Sequence, residues 1–367
     1  MKPFYLLFIF TLLINSNVLA QGRYTVSGTI ADESGAMQKG ATVFISGSKK
    51  ITTSDDAGKF EFSDLSPGTY QLSVKLLGFY PYTENIQVHD KPVKLNIKLK
   101  VKTIVLNEVV IGKGNNWEVN YAIFKEQFLG TSANAKQCVI INPKILHFGS
   151  SSKNRLTAEA DEFLVIENNQ LGYRIRYLLK SFEFIKNLLR TKYDGDTNFE
   201  EMDGTPEMKA KWAKNRAAAY NGSLMHYMRS VYNNTALKEG FITHQLKLEP
   251  KGISNILVAD PRLLETQTFV TPIDTSFISL KFKSILIDYA PEEAADMRNK
   301  GIDTSSIRAA VLGRTMGSVL NLFLDNAVVD RKGSYADYRT FLVQGYWGRR
   351  RIGDQLPVEY QPPIVTQ

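Results

Sequence analysis

A chain of 367 residues is long enough for two buried cores, and its single cysteine rules out an internal disulfide to support them. The formal net charge of +8 reads first as a mildly basic, soluble surface and second as an attraction to anionic lipid headgroups or acidic glycans. No stretch beyond the N-terminus is long and apolar enough to cross a bilayer, so no transmembrane helix is expected in the mature chain.

Lys2 is a short basic start, Phe4 to Leu13 is apolar except for Thr11, and Val18-Leu19-Ala20 places a small residue before Gln21. This pattern predicts a secretory signal peptide over residues 1–20, cleaved after Ala20. Gln21 stands where a lipoprotein would need cysteine. Cleavage removes Lys2 and no acid, taking the charge from +8 to +7. Export makes nucleic acid an unsuitable partner.

Residues 21–100 predict a small β-sandwich. Tyr24, Val26, Gly28 and Ile30 alternate with other residues, and Asp32 to Gly35 supply a turn. Ala41, Val43 and Ile45 share one face. Phe60 and Phe62 follow the turn Asp55-Asp56-Ala57-Gly58, and Tyr70, Leu72 and Val74 follow Pro67-Gly68. In the last strand Val93, Leu95, Ile97 and Leu99 face one way, and Lys94, Asn96, Lys98 and Lys100 the other. Period-two alternation builds a one-sided apolar sheet, and the glycines and proline between runs supply the turns.

These residues resemble the carboxypeptidase regulatory-like domain, a transthyretin-like sandwich. The pieces that carry the resemblance are Val26-Ser27-Gly28-Thr29-Ile30, Gly40-Ala41-Thr42-Val43, Thr53 to Phe60, Leu65-Ser66-Pro67-Gly68-Thr69-Tyr70 and Leu77-Gly78-Phe79. In that family the domain is an accessory to a peptidase, an outer-membrane receptor or an uncharacterised partner domain, and has no catalytic residues of its own. Residues 101–114, with Ile104 to Gly112, predict a connector strand. They also resemble the segment that leads from this sandwich into TonB-dependent receptors, but the remaining chain is too short, and too helical in its middle, for a receptor barrel.

Residues 115–360 predict an α+β domain with mostly antiparallel strands. Leu156–Ile166 and Leu171–Phe184 read as long strands around a turn at Glu167-Asn168-Asn169-Gln170. Thr205-Pro206-Glu207 opens a helical stretch to about Asn233, with a capping hydroxyl and proline at the first helical position. Tyr220, Leu224, Tyr227, Met228 and Val231 form a core stripe on it. Strands follow at Phe241–Leu248, Phe277–Tyr289, Ser318–Val329 and Tyr338–Trp347, with helices at Pro291–Asn299 and Ser305–Leu312. Residues 361–367 form a loose tail. The domain resembles one of unknown function that follows this sandwich in exported proteins of Gram-negative bacteria. Trp117, Phe128-Leu129-Gly130, Cys138 to Pro143, Arg216 to Ser223, His226, Gly345-Tyr346-Trp347 and Leu356 to Tyr360 carry that resemblance. It implies a periplasmic or outer-membrane-associated address, with peripheral membrane contact as one option, and no activity.

Recognisable catalytic motifs are missing. None of the four histidines (His89, His147, His226 and His244) has a His-Glu-x-x-His context, so a zinc carboxypeptidase is excluded and the four read as surface or helix-side residues. Gly149-Ser150-Ser151-Ser152 and Gly222-Ser223-Leu224 do not form a nucleophile elbow. Glu200-Glu201 and Glu292-Glu293 read as solvated charge. Asp194, Asp196 and Asn198 match the first spacings of a calcium loop, but Phe199 and Thr205 stand where glycine and glutamate are needed, so Tyr193-Asp194-Gly195-Asp196 reads as a hairpin turn. Cys138 reads as a buried strand residue.

The polar residues best suited to a ligand are Trp212 and Arg216, four apart and able to stack, then Tyr220, His226 and Arg229, and finally Trp347 with Arg349, Arg350 and Arg351. The competing expectation is that these arginines pair with acids such as Asp354 and orient loops. No cofactor or metal is expected. The sequence favours a non-enzymatic exported protein: a sandwich adaptor joined to a domain that binds a cell-envelope protein or glycan. An envelope hydrolase with an unrecognised site in 115–360, and an accessory to a TonB-dependent uptake system, remain the alternatives.

Overall fold

A computed structural model describes residues 22–102, 117–152, 154–251, 254–300, 316–335 and 338–363. The predicted signal peptide, the connector strand at 104–112 and the helix at 305–312 lie outside the described residues.

Seven strands form the sandwich: β1 (Tyr24–Asp32), β2 (Thr42–Ile45), β3 (Ile51–Thr53), β4 (Lys59–Leu65), β5 (Gly68–Lys75), β6 (Tyr82–Val88) and β7 (Val93–Leu99). One sheet has the order β4-β1-β7 and the other β3-β2-β5-β6, with β1 and β7 parallel and the remaining pairs antiparallel. The alternation read from the sequence is what packs here. Val26, Ile30, Ala41, Val43, Ile45, Phe60, Phe62, Tyr70, Leu72, Val74, Ile97 and Leu99 are all buried in one cluster. Each large aliphatic or aromatic side chain so buried contributes about 1.5–3 kcal/mol.

The remaining residues form an α+β architecture with antiparallel strands around two further cores. The first holds α1 (Trp117–Leu129), α2 (Ala133–Lys136), β8 (Cys138–Ile140), β9 (Leu146–Ser152), β10 (Arg155–Ala160), β11 (Leu164–Asn168), β12 (Tyr173–Ile185) and β13 (Arg190–Glu201). β13 runs along one side of β12, while β10 and β11 share the other side end to end. The strand expected at Leu156–Ile166 is therefore broken at residues 161–163. There Phe163 turns out to meet Phe44 of the sandwich edge to face, with ring centroids 5.5 Å apart, and Asp161 bonds Lys102 at 2.6 Å. The hairpin turn expected at Glu167 to Gln170 lies two residues later, where Gly172 adopts a φ of +66°.

Tyr193-Asp194-Gly195-Asp196 is not a turn. These residues lie inside β13, which pairs with β12 through a bulge between Leu179 and Ser181, and the turn is at Lys186 to Leu189. Alternating aspartates carry no strand signal, so only the pairing with an apolar partner strand reveals this one.

α3 (Pro206–Tyr220) starts as expected, with Thr205 accepting from the Met208 N–H at 3.3 Å. The helical stretch breaks at Gly222, whose φ is +71°, and α4 (Leu224–Tyr232) restarts with Ser223 as its cap. Of the predicted stripe, Tyr220 enters the first core, while Tyr227, Met228 and Val231 enter the second.

That second core also holds β14 (Phe241–Lys251), β15 (Ser254–Leu263), β16 (Val270–Pro272), β17 (Phe277–Leu280), β18 (Ser284–Tyr289), β19 (Ser318–Leu322), β20 (Ala327–Asp330) and β21 (Phe341–Gly345). α5 (Pro291–Lys300) and α6 (Tyr346–Arg349) complete the elements. Its sheets have the orders β15-β14-β18-β19-β21 and β16-β17-β20. The segments Phe277–Tyr289 and Ser318–Val329, expected as single strands, each divide between these two sheets. At the first division Phe282 stacks on Phe341 with centroids 6.1 Å apart. Tyr338–Thr340 is a short 3-10 turn ahead of β21.

Candidate functional site

The sandwich is docked on both cores by two of its turns. Gly47 donates to Thr197 O at 2.7 Å and accepts from Val358 N at 2.8 Å, and Phe199 N and the Asn198 amide both reach Ser48 O. At the second turn the fully buried Asp330 accepts from Thr69 N at 2.9 Å, Lys332 N at 2.8 Å and Ser334 N at 3.0 Å. The Lys332 ammonium sits 3.6 Å from that carboxylate and 3.7 Å from the Tyr70 ring centroid. Gly68 leaves room for this arrangement, because a Cβ there would lie 2.5 Å from the Lys332 ammonium.

Between the docked units lies a cleft of about 1210 Å³. The sandwich lends it Tyr24, Ser66, His89 and Asp90. The opposite wall is formed by Tyr220, Arg229, Asn233, Glu239, Asp274, Arg331 and Lys332, and the chain end adds Glu359 and Gln361. His89 bridges the walls, 3.6 Å from Asp274 and with its ring 4.7 Å from that of Phe277. Arg331 lies over Tyr232, 5.9 Å from the ring centroid. The side chains of Asp90, Asn233 and Gln361 have no hydrogen-bond partner among the described residues.

Of the nine residues singled out in the sequence, the structure brings only Tyr220 and Arg229 to the cleft. Arg229 is spent on structure: its guanidinium donates to Lys332 O, Tyr360 O and Val358 O at 2.8–2.9 Å. It thereby ties the chain end to the turn that holds the sandwich. Arg216 lies over Tyr173 at 3.8 Å rather than against Trp212, and donates to Leu171 O and Gly172 O. Burial pushes the Tyr173 hydroxyl up to about 12, with the Arg216 charge opposing. Trp212 is buried, donates to Asn169 O at 2.9 Å, and packs so closely on Gly172 that a Cβ there would lie 2.2 Å from its ring.

Trp347 is buried too, and its indole N–H donates to Gly222 O at 2.7 Å, holding the break between α3 and α4. Arg350 donates to Tyr346 Oη and Ala219 O and lies 3.6 Å from Asp354. Arg351 donates to Gln127 O, and burial pulls its pKa below the ordinary value. Arg349 is exposed. Most of these groups therefore orient main chain.

His226 and Glu239 have the composition of a catalytic dyad, with Nε2 and Oε2 2.9 Å apart, Glu239 on the cleft wall and His226 buried behind it. The Gly222 N–H donates to Nδ1 at 3.1 Å, which leaves Nε2 as the protonated nitrogen of the neutral ring, donating to Glu239. Both nitrogens are thus committed within the wall. Burial would raise the Glu239 carboxyl, but bonds from His226 and Thr235 outweigh it and hold the pKa below its ordinary value. Ser223 is occupied as the α4 cap. Glu200 pairs with Arg174 and Arg176, and Glu201 with Lys49 and Arg216, so that doublet is ion-paired rather than simply solvated.

His244, expected at a surface or helix side, is instead buried in β14 beside Asp260 O, because β15 covers it. Cys138 is buried as expected, and burial pushes its thiol up to about 12. Among the described residues no three His, Cys, Asp or Glu side chains converge to hold a metal.

The cleft residues missed from sequence sit on separate turns hundreds of residues apart, and no spacing rule connects them. Only the Pro67-Gly68 turn signal marks one rim.

The architecture is thus a transthyretin-like sandwich fused to antiparallel α+β sheets. Residues 25–100 match the carboxypeptidase regulatory-like domain. No curated protein matches the chain. A cohesin–X–dockerin complex from Acetivibrio cellulolyticus is similar to 21% of this chain and 56% of its own, at 27% identity and a TM-score of 0.19. A putative carbohydrate-binding protein from Pseudomonas aeruginosa is similar over 21% of this chain and 88% of its own, at 18% identity and a TM-score of 0.18. A catechol 1,2-dioxygenase from Acinetobacter radioresistens is similar over 26% of this chain and 58% of its own, at 10% identity and a TM-score of 0.22.

Proposed function

We propose that the chain is an exported, non-enzymatic binding protein of the cell envelope whose interdomain cleft takes a glycan. The N-terminal signal pattern and the accessory character of the sandwich family support the address. The observation that carries the binding reading is the cleft itself. Its walls come from both units, and Asp90, Asn233 and Gln361 present uncommitted hydrogen-bonding groups beside Arg331 and the half-buried Tyr24. Carboxylate, amide and guanidinium groups recognise hydroxyls in pairs, and an aromatic face takes the apolar side of a sugar ring. Acids and bases are both represented in the lining, which favours a neutral glycan over a strongly charged one. The sandwich acts as half of the binding wall, not as a detached tether.

A glycan array probed with the chain lacking residues 1–20 tests this, followed by titration calorimetry with Asn233→Ala and Arg331→Ala. Each substitution is expected to weaken binding about tenfold without unfolding the protein. Failure of every glycan to bind, or unchanged affinity in both variants, removes the glycan reading. Release of new reducing ends from a bound glycan would instead establish the hydrolase.

A further inference from the structure

The β12–β13 hairpin ends in two exposed leucines. Its stem is rooted in the first core by Phe182, Phe184 and Tyr193. Ile185 and Arg190 form its last pair, and Ile185 meets Arg155 of β10 on its other side. The sheet stops at that row. Residues 186–189 lie beyond it as a short 3-10 turn closed by Leu189, whose N–H donates to Lys186 O at 3.2 Å. Leu188 is 58% exposed and Leu189 80%.

Turn formation does not account for these side chains. Leu189 has a φ of +47° and a ψ of +35°, the left-handed region that suits glycine or asparagine and disfavours a bulky residue. A leucine held there and turned to water stabilises neither the turn nor the core. An exposed apolar pair kept in a disfavoured conformation points to contact with something outside the chain.

The charges around the tip choose the partner. Between Phe184 and Tyr193 the charged residues are Lys186, Arg190 and Lys192, all exposed, and no acid is among them. The next acids down the stem are Glu183, held by Arg155 at 3.0 Å, and Asp194, opposite Ser181. On α1, Lys125 and Glu126 cancel beside the Gln127 that accepts from Thr191 at 2.8 Å. The tip is therefore cationic and apolar together. A polyanion in solution would use the cations and leave the leucines in water. An anionic bilayer uses both, with headgroup phosphates against the cations and the leucines at the acyl boundary.

We propose that this tip docks the protein reversibly on an anionic phospholipid surface, with Leu188 and Leu189 inserted and Lys186, Arg190 and Lys192 among the headgroups. Among the described residues none of this hairpin lines the cleft, so the site stands apart from the glycan reading and leaves the cleft open. Two leucines bury less hydrocarbon than one myristoyl chain, and each cation near the surface multiplies association about fivefold, so half-binding is expected at about 1 mM vesicle lipid.

Co-sedimentation of the chain lacking only residues 1–20 with vesicles of phosphatidylethanolamine and phosphatidylglycerol, at about three parts to one and low salt, tests this. The double variant Leu188→Ser, Leu189→Asn is expected to weaken binding at least about tenfold while the melting temperature holds or rises, because asparagine tolerates the left-handed turn. Arg190→Gln should weaken it about fivefold, and about 0.5 M salt should remove most of it. No binding at roughly 5 mM lipid overturns the proposal. So does binding that the leucine variant retains in full. Retention on dextran sulfate that Arg190→Gln loses, with vesicles left unbound, would assign the tip to a polyanion and overturn it as well.

Discussion

Replacing Asp330 with alanine should loosen the sandwich from the rest of the molecule. Asp330 is fully buried and its carboxylate accepts three main-chain N–H groups, one of them Thr69 N from the sandwich. Alanine leaves Thr69 N buried without a partner, at a cost of about 1–3 kcal/mol. It also strips the Lys332 ammonium of its counter-charge and removes two bonds that shape the turn. Breaking one side of a buried pair costs about 3–5 kcal/mol. Against this stands the expense of burying the carboxylate. Desolvation raises the Asp330 pKa, with Lys332 and the three N–H groups opposing, so part of the loss is returned when the charge is removed. A net destabilisation of about 3 kcal/mol is expected.

Asp330→Asn separates the contributions. An asparagine oxygen can keep the Lys332 and Ser334 N–H bonds while its amide opposes Thr69 N–H, so the turn survives and the clamp does not. Urea denaturation of the chain lacking residues 1–20 measures the loss, and hydrogen exchange at Thr69 locates it. A change within about 0.5 kcal/mol for the alanine variant, with Thr69 exchange unaltered, would refute the reasoning.

Two further outcomes are expected. Cys138, buried and with its thiol raised to about 12, should resist a thiol-specific chromogenic reagent at pH 8 and react only at the rate of unfolding; rapid labelling of native protein would contradict its burial. Glu239 has a folded-state pKa below the ordinary 4.5, so its bonds add stability above pH 4.5 that is lost as pH falls through the folded value. Glu239→Gln should therefore flatten the acid limb of a stability-versus-pH curve, and an acid limb identical to that of the wild type would show that this carboxylate is not coupled to folding.

The sandwich was legible because its information is local. Val93, Leu95, Ile97 and Leu99 must face one way in any strand, and the glycine-containing turns at Asp55–Gly58 and Pro67-Gly68 suit few other conformations. The cap of α3 and the core stripe from Tyr220 to Val231 were readable for the same reason. Where strands belong to two sheets, as at Phe277–Tyr289, continuous apolar text hides the division, because the pattern within a strand carries no record of its partner.

Sequence by itself determined the alternating faces, the helix start at Thr205 and the burial of Cys138, since each depends on residues within a turn or two of chain. Tertiary structure alone decided that Arg216, Arg229 and Arg350 hold main-chain carbonyls, that Trp212 packs on Gly172 while Trp347 holds the Gly222 carbonyl, and that a cleft opens where five distant turns meet. Arginine and tryptophan serve ligands and carbonyls with the same hydrogen bonds and the same faces, so their role follows from what stands opposite them, and that is fixed only when the chain has folded.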